Sequence, residues 1–285
     1  MASAFRLPDQ RGYTFDRPLA QLLTGKVPNR PLRVVVVGAH PDDPETGCGG
    51  TIAKLTRGGH EVTIVYLTRG EAGIKGGDHG TTACLRTAEA INAAEILGAR
   101  PVFANQIDGN TSADAHHAES FTELLRSLEP DLVFSHWLHD THRDHRTAAE
   151  LTRAAWNALD HSFTLAYYEV MTGIQTYDFE PNVYVDVSSA EGEKRAAIYA
   201  HACQRPDRFY PFHVDMEKER GQEADFSRAE AFRVIRHGGL APVIPFVNSG
   251  AVVSELCSQP STPERHVGAI RGSIVSIGNV SASTI

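Results

Sequence analysis

The sequence predicts an α/β fold on a mostly parallel sheet with helices on both faces. Three observations predict it. Short, unbroken β-branched runs read as strands buried on both faces. A helical stretch with a glycine or proline stop follows several of these runs. The links are mostly short, which is the alternation of α/β proteins.

The elements follow in order. Residues 1–30 are polar, contain proline and read as a surface arm. Leu32–Val37 is the first strand. Thr46–Arg57 is a helix closed by Gly58-Gly59. Val62–Leu67 is the second strand, and the Gly-rich stretch 70–80 is a loop. Cys84–Leu97 is a helix with Leu85, Ala88, Ile91 and Ile96 near helical spacing and Gly98 as its stop. Pro101–Phe103 is a short strand, Phe121–Leu128 a helix closed by Pro130, Leu132–Phe134 a strand and Asp144–Leu159 a helix. The second half is less regular. Ala166–Val170 and Val183–Val187 read as strands, Ser189–Cys203 as a helix, and 221–236 contains another helix. One domain over 31–248 is expected, followed by a Ser-rich tail, 249–285, without helical period.

The chain has 285 residues and a net charge of −8, with 41% apolar and 22% charged residues. That composition suits a globular protein and not a disordered one. The acidic balance argues against a nucleic-acid partner. No apolar run nears the ~18 residues that span a bilayer, so no membrane partner is expected. The first fifteen residues show no secretory signal, and a cytoplasmic location is expected. Cys48, Cys84, Cys203 and Cys257 form no C-x-x-C pair, which disfavours a disulfide scaffold or a thiolate zinc site. Histidine is abundant, at 14 residues. A metal site here would use imidazole and carboxylate.

Two constellations sit just past predicted strands, the edge where open α/β sheets bind ligands. The first is Gly38-Ala-His-Pro-Asp-Asp-Pro-Glu-Thr-Gly-Cys-Gly-Gly50. Its glycines invite a dinucleotide reading, but the pattern is not G-x-G-x-x-G, and two carboxylates would repel a pyrophosphate. His40 with Asp42 and Asp43 suits a borderline metal ion such as zinc. One aspartate can ligate while its neighbour faces the substrate; either could instead cap the helix. The second is His136-Trp-Leu-His-Asp-Thr-His-Arg-Asp-His145. His145 falls in the first turn of the next helix, and Asp144 can orient an imidazole through its N–H. His40, one aspartate of the pair and one histidine of this loop would make three ligands with an open position. The remaining groups would supply a base and an oxyanion donor for amide or ester hydrolysis.

Ala39-His-Pro-Asp-Asp43, with His142-Arg-Asp-His145, resembles the LmbE-like, or PIG-L, family of zinc-dependent N-deacetylases. Leu67-Thr-Arg-Gly-Glu-Ala-Gly73, Arg86-Thr-Ala-Glu89, Ala200-His-Ala-Cys-Gln204 and Arg228-Ala-Glu-Ala-Phe232 add to the resemblance, which covers about residues 32–236. Pro44-Glu45, Arg143 and Cys203 depart from the common pattern without removing a ligand. The resemblance implies a Rossmann-like three-layer α/β/α sandwich. It implies Zn2+ on His40, Asp43 and His145, with Asp42 as general base. A protonated His142 would stabilise the oxyanion, its charge supported by Asp144. It implies a small N-acetylated sugar as substrate (free sugar, glycoconjugate or chito-oligosaccharide) and a homo-oligomer, trimer or hexamer. Arg69, Glu71 and Arg86 are candidates for sugar hydroxyls, with surface ion pairs the plain alternative. Trp137 is a candidate sugar platform or a lid, and His201 lines the site or supports packing. The alternatives are an esterase or amidase on another acylated substrate, and a non-catalytic sugar- or nucleotide-binding module.

Overall fold

The β-branched runs form the centre of the sheet. The structure, a computed structural model, describes residues 17–235. The strands are β1 (Arg33–Gly38), β2 (Glu61–Thr68), β3 (Arg100–Gln106), β4 (Leu132–His136), β5 (Thr164–Tyr168), β6 (Val183–Asp186) and β7 (Ala229–Ile235). They form one sheet in the order β3-β2-β1-β4-β5-β7-β6. The first five are parallel, and β7 runs antiparallel to both its neighbours. The helices are α1 (Arg17–Thr24), α2 (Asp43–Arg57), α3 (His79–Ile96), α4 (Ala115–Leu128), α5 (Arg143–Ala158), α6 (Glu191–Ala200) and α7 (Tyr210–Ala224).

Alternation along β1 divides the core. Val34 and Val36 pack with α2, α3 and α6 on one face. Val35 and Val37 pack with α4 and α5 on the other. This is the three-layer sandwich expected. Strand order reverses between β1 and β4, which opens a crevice beyond their carboxyl ends. Both constellations emerge there.

Four details differ from expectation. Residues 17–24 of the expected arm form α1, whose Leu19 and Leu23 are buried. The stretch 221–236 holds the end of α7 and then β7, because Ala229–Ile235 pairs with both β5 and β6. The helix expected over Ser189–Cys203 is α6 with short 3-10 turns at either end. In α3, Leu85 and Ile91 are 43% and 48% exposed. The buried face of α3 is Thr82, Arg86, Ala90, Ala93 and Ala94, small side chains that bring the helix close to its neighbours. The tail 249–285, and the adjoining end of the expected domain, lie outside the described residues.

Close packing explains the glycines of α2. A Cβ on Gly47 would stand 2.3 Å from Tyr168 Cδ2, and one on Gly50 would stand 2.6 Å from Val187 Cβ. The middle of α2 is also tied to β7. Glu230 accepts the Gly50 and Thr51 N–H groups at 2.8 and 2.7 Å. Buried Lys194 of α6 pairs with Glu230 at 2.7 Å and with Glu217 of α7 at 2.8 Å. No helix among the described residues is long and apolar enough to cross a membrane.

Candidate active site

The chain leaves β1 at Gly38 and turns into α2 within five residues. His40 N–H donates to Asp43 Oδ2 at 2.8 Å. Asp42 takes φ 110°, a backbone conformation that side chains disfavour. Such strain costs on the order of 1–3 kcal/mol and collects at functional sites. The Asp42 N–H is held by Glu45 Oε2 at 3.2 Å.

Asp43 joins the two constellations. Its Oδ2 lies 3.1 Å from His40 Nδ1, and its Oδ1 lies 3.2 Å from His145 Nε2. All three residues are buried. The far nitrogen of each imidazole is engaged by a carboxylate. His145 Nδ1 meets Asp140 Oδ2 at 3.0 Å. His40 Nε2 meets Asp108 Oδ1 and Asp144 Oδ2, both at 3.2 Å. A carboxylate behind each imidazole turns the other nitrogen inward, the arrangement of metal-ligating histidines. Burial disfavours protonated His145, yet the Asp43 and Asp140 carboxylates push its pKa up to about 9. Burial would raise Asp43, but the His145 imidazole beside it holds it well below the carboxylate range. The surrounding carboxylates therefore favour positive charge on this cluster. The donors fit a divalent ion that prefers nitrogen and oxygen.

His136 is stacked on His145 with centroids 3.9 Å apart. Its Nε2 accepts the Ala39 N–H at 3.0 Å, which fixes the neutral tautomer. Burial, then the neighbouring His145, pushes its pKa down to about 4.

One implied role is indirect and another shifts. The Asp144 carboxylate favours charge on His142 at a distance, without a hydrogen bond to its ring. That group contacts His40 and accepts from Gly109 N–H and Thr111 Oγ1, both at 2.7 Å. His142 caps α5, its Nδ1 accepting the Asp144 N–H at 3.3 Å. Burial and the charges of His40 and His145 lower its pKa, so the neutral form with a proton on Nε2 is favoured. That N–H is still a donor.

Asp42 and Arg86 meet at 3.2 Å. Arg86 also donates to the carbonyls of Pro41 and Gly70. It is buried and braces Asp42. Burial raises the Asp42 pKa against the opposing charge of Arg86.

A cavity of about 500 Å³ collects His40, Asp42, Asp43, Arg86, His142 and His145. Arg69, Glu71, Trp137 and His201 are not brought into its wall. Arg69 bonds Asn105 and lies over Phe103, while Glu71 accepts the Arg69 N–H. Trp137 donates to the Tyr177 carbonyl and packs on Phe179. His201 is buried 3.4 Å from Glu45. Sequence reasoning missed Asp108, Asp140, Gln175 and His213. Asp140 stood inside the histidine run and was available there. Asp108 follows β3 at the same sheet edge, and an accurate end for that strand would have pointed to it.

Residues 35–156 match the family model described as PIG-L: GlcNAc-PI de-N-acetylase. The diacetylchitobiose deacetylase of Thermococcus kodakarensis is 30% identical over 189 residues, 61% of this chain and 71% of that protein. The 4-oxalmesaconate hydratase of Pseudomonas putida is 28% identical over 234 residues, 75% of this chain and 90% of that protein. The solved N,N'-diacetylchitobiose deacetylase from Pyrococcus horikoshii superposes with a TM-score of 0.62 at 28% identity, covering 71% of this chain and 83% of that one.

Proposed function

The chain belongs to the PIG-L family of de-N-acetylases, and from that premise we propose that it hydrolyses the acetamide of an N-acetylglucosamine-type substrate, using a divalent metal, zinc first among them. The observation that carries this reading is Asp43, whose two oxygens face one nitrogen each of His40 and His145. Those three residues would hold the ion. When bound, a divalent ion supplies Lewis acidity and brings a coordinated water toward a pKa of about 7.

The chain's own groups do the rest. Asp42 takes the proton of the attacking water; burial lifts its basicity, and Arg86 fixes its direction. His142 Nε2–H donates to the acetyl oxygen as negative charge develops there. Asp144 positions His40, and Asp140 positions His145.

The experiment is acetate release from N-acetylglucosamine, diacetylchitobiose and an acetyl ester, before and after chelation. Release from an amino sugar, lost on chelation and restored by zinc, is expected. Release from the ester alone would overturn the reading. The hydratase among the relatives supports a second reading, addition of water to a different acceptor, which absence of all acetate release would favour. His142→Ala is expected to lower turnover by about 10²–10³ while the metal stays bound. Loss of the metal in that variant would make His142 a ligand.

A further inference from the structure

The cavity has a second wall that the hydrolytic groups leave unused. It comes from the loop after β5 and from residues 204–213, and presents Val170, Met171, Gln175, Gln204, Phe209 and His213. No lysine, arginine or carboxylate is among these six. Across the cavity stand the carboxylates Asp42, Asp43 and Asp108 and one guanidinium, Arg86. Arg86 is already committed to Asp42 and two carbonyls. Among the described residues, no lysine and no second arginine lines this space.

His213 is the telling residue. It lies in the first turn of α7, lines the cavity and is 1% exposed. Its Nδ1 is sealed from solvent without a hydrogen-bond partner, and the ring forms no hydrogen bond among the described residues. Buried polar groups are rarely left so. Burial, then the nearby Lys194 ammonium, pushes its pKa down to about 3. A neutral imidazole can both donate and accept. Phe209 precedes it by one turn, with ring planes near perpendicular and centroids 6.1 Å apart. An apolar ring beside a neutral hydrogen-bonding edge matches a sugar, which has an apolar C–H face and hydroxyls at its rim.

Resting on the deacetylase reading above, we propose that Phe209 and His213 form the subsite for the leaving amino sugar, and that it takes an unphosphorylated sugar in preference to a phosphorylated one. On this wall, away from the metal-binding histidines, a phosphate would find no arginine or lysine to pair with.

The test is calorimetric titration of the zinc-loaded full chain with glucosamine, the deacetylated product, and with glucosamine 6-phosphate. Glucosamine is expected to bind at least tenfold more tightly. His213→Phe should weaken glucosamine about tenfold, the loss of one hydrogen bond. His213→Gln should restore most of it, with zinc content unchanged in both. Equal or tighter binding of the phosphate overturns the proposal, as does unchanged binding in His213→Phe. Should that variant fail to fold, the wild-type comparison and Phe209→Ala still decide. Acetate release is measured on the same preparation. Glucosamine binding without acetate release sinks the deacetylase reading and leaves the sugar site. Acetate release without discrimination between the two sugars does the reverse.

Discussion

Replacing Gly47 by alanine sets helix propensity against packing. In a helix interior this change alone stabilises by about 1 kcal/mol. Here the new Cβ would stand 2.3 Å from Cδ2 and 2.7 Å from Cε2 of Tyr168. Carbon contacts are comfortable at about 3.5–4.0 Å, so something must yield by more than an ångström. Tyr168 is poorly placed to yield. It is fully buried, its hydroxyl donates to the Val37 carbonyl at 2.9 Å, and its ring packs on His136. The strain falls on α2. Overpacking of this kind costs about 1–3 kcal/mol, and the upper end applies between two fixed elements. A net loss of about 1–2 kcal/mol is expected. Asp43 and Thr46 lie one turn or less before Gly47, so a shift also misplaces the site, where about 1 Å can cost 100-fold in rate. Urea unfolding and acetate release read both effects. Gly192→Ala in α6 is the control, since nothing lies within 4 Å of its added Cβ. It should be neutral or stabilising by up to about 1 kcal/mol. A Gly47→Ala protein as stable and as active as wild type would refute the packing argument.

Three further outcomes are expected. Lys194→Met leaves buried Glu217 with Arg228 alone and buried Glu230 with two backbone N–H groups but no cation, and should destabilise by about 3 kcal/mol at pH 7. Protonating those carboxylates relieves them, so the deficit in urea melts should shrink toward pH 5; a deficit that grows there would contradict this. His213 has its folded pKa pushed down to about 3, against an unfolded value near 6.5. The unfolded chain then binds the extra proton between those values, so stability is lost as pH is lowered, by on the order of 2 kcal/mol at pH 5 from this group. His213→Phe should flatten that slope, and an unaltered slope would show that the imidazole is not held neutral. Asp140→Asn removes the carboxylate behind His145 and should weaken zinc about 10–100-fold in a chelator competition. Unchanged affinity there would remove Asp140 from the site.

The fold was legible where sequence period and burial agree. Val34 to Val37 face both layers, so a continuous apolar run was the right signal for β1. It failed where small residues do the packing. In α3, Ala90, Ala93 and Ala94 face inward and Leu85, Ala88 and Ile91 face out, which hydrophobicity alone inverts. It failed again at β7, where Ala229–Ile235 becomes a strand only because β5 and β6 flank it. His40, Asp42, Asp43, His142 and His145 were legible because each lies in a motif at a strand end. Their supports were harder to read. Asp108 and Gln175 come from separate loops, and His213 from a helix more than sixty residues beyond His145. Only the folded chain brings them to one cavity. Arg69 and Trp137 show the converse, since proximity in sequence to a motif did not place either side chain in the cavity wall.

The most direct measurement is acetate release and bound zinc on one preparation of Asp42→Asn. If His40, Asp43 and His145 hold the ion and Asp42 is the base, the variant keeps about one zinc per chain. Its turnover then falls by about 10²–10⁴. Near-wild-type turnover at full zinc occupancy would contradict the assignment of the base, and with it the proposed division of labour between the two aspartates.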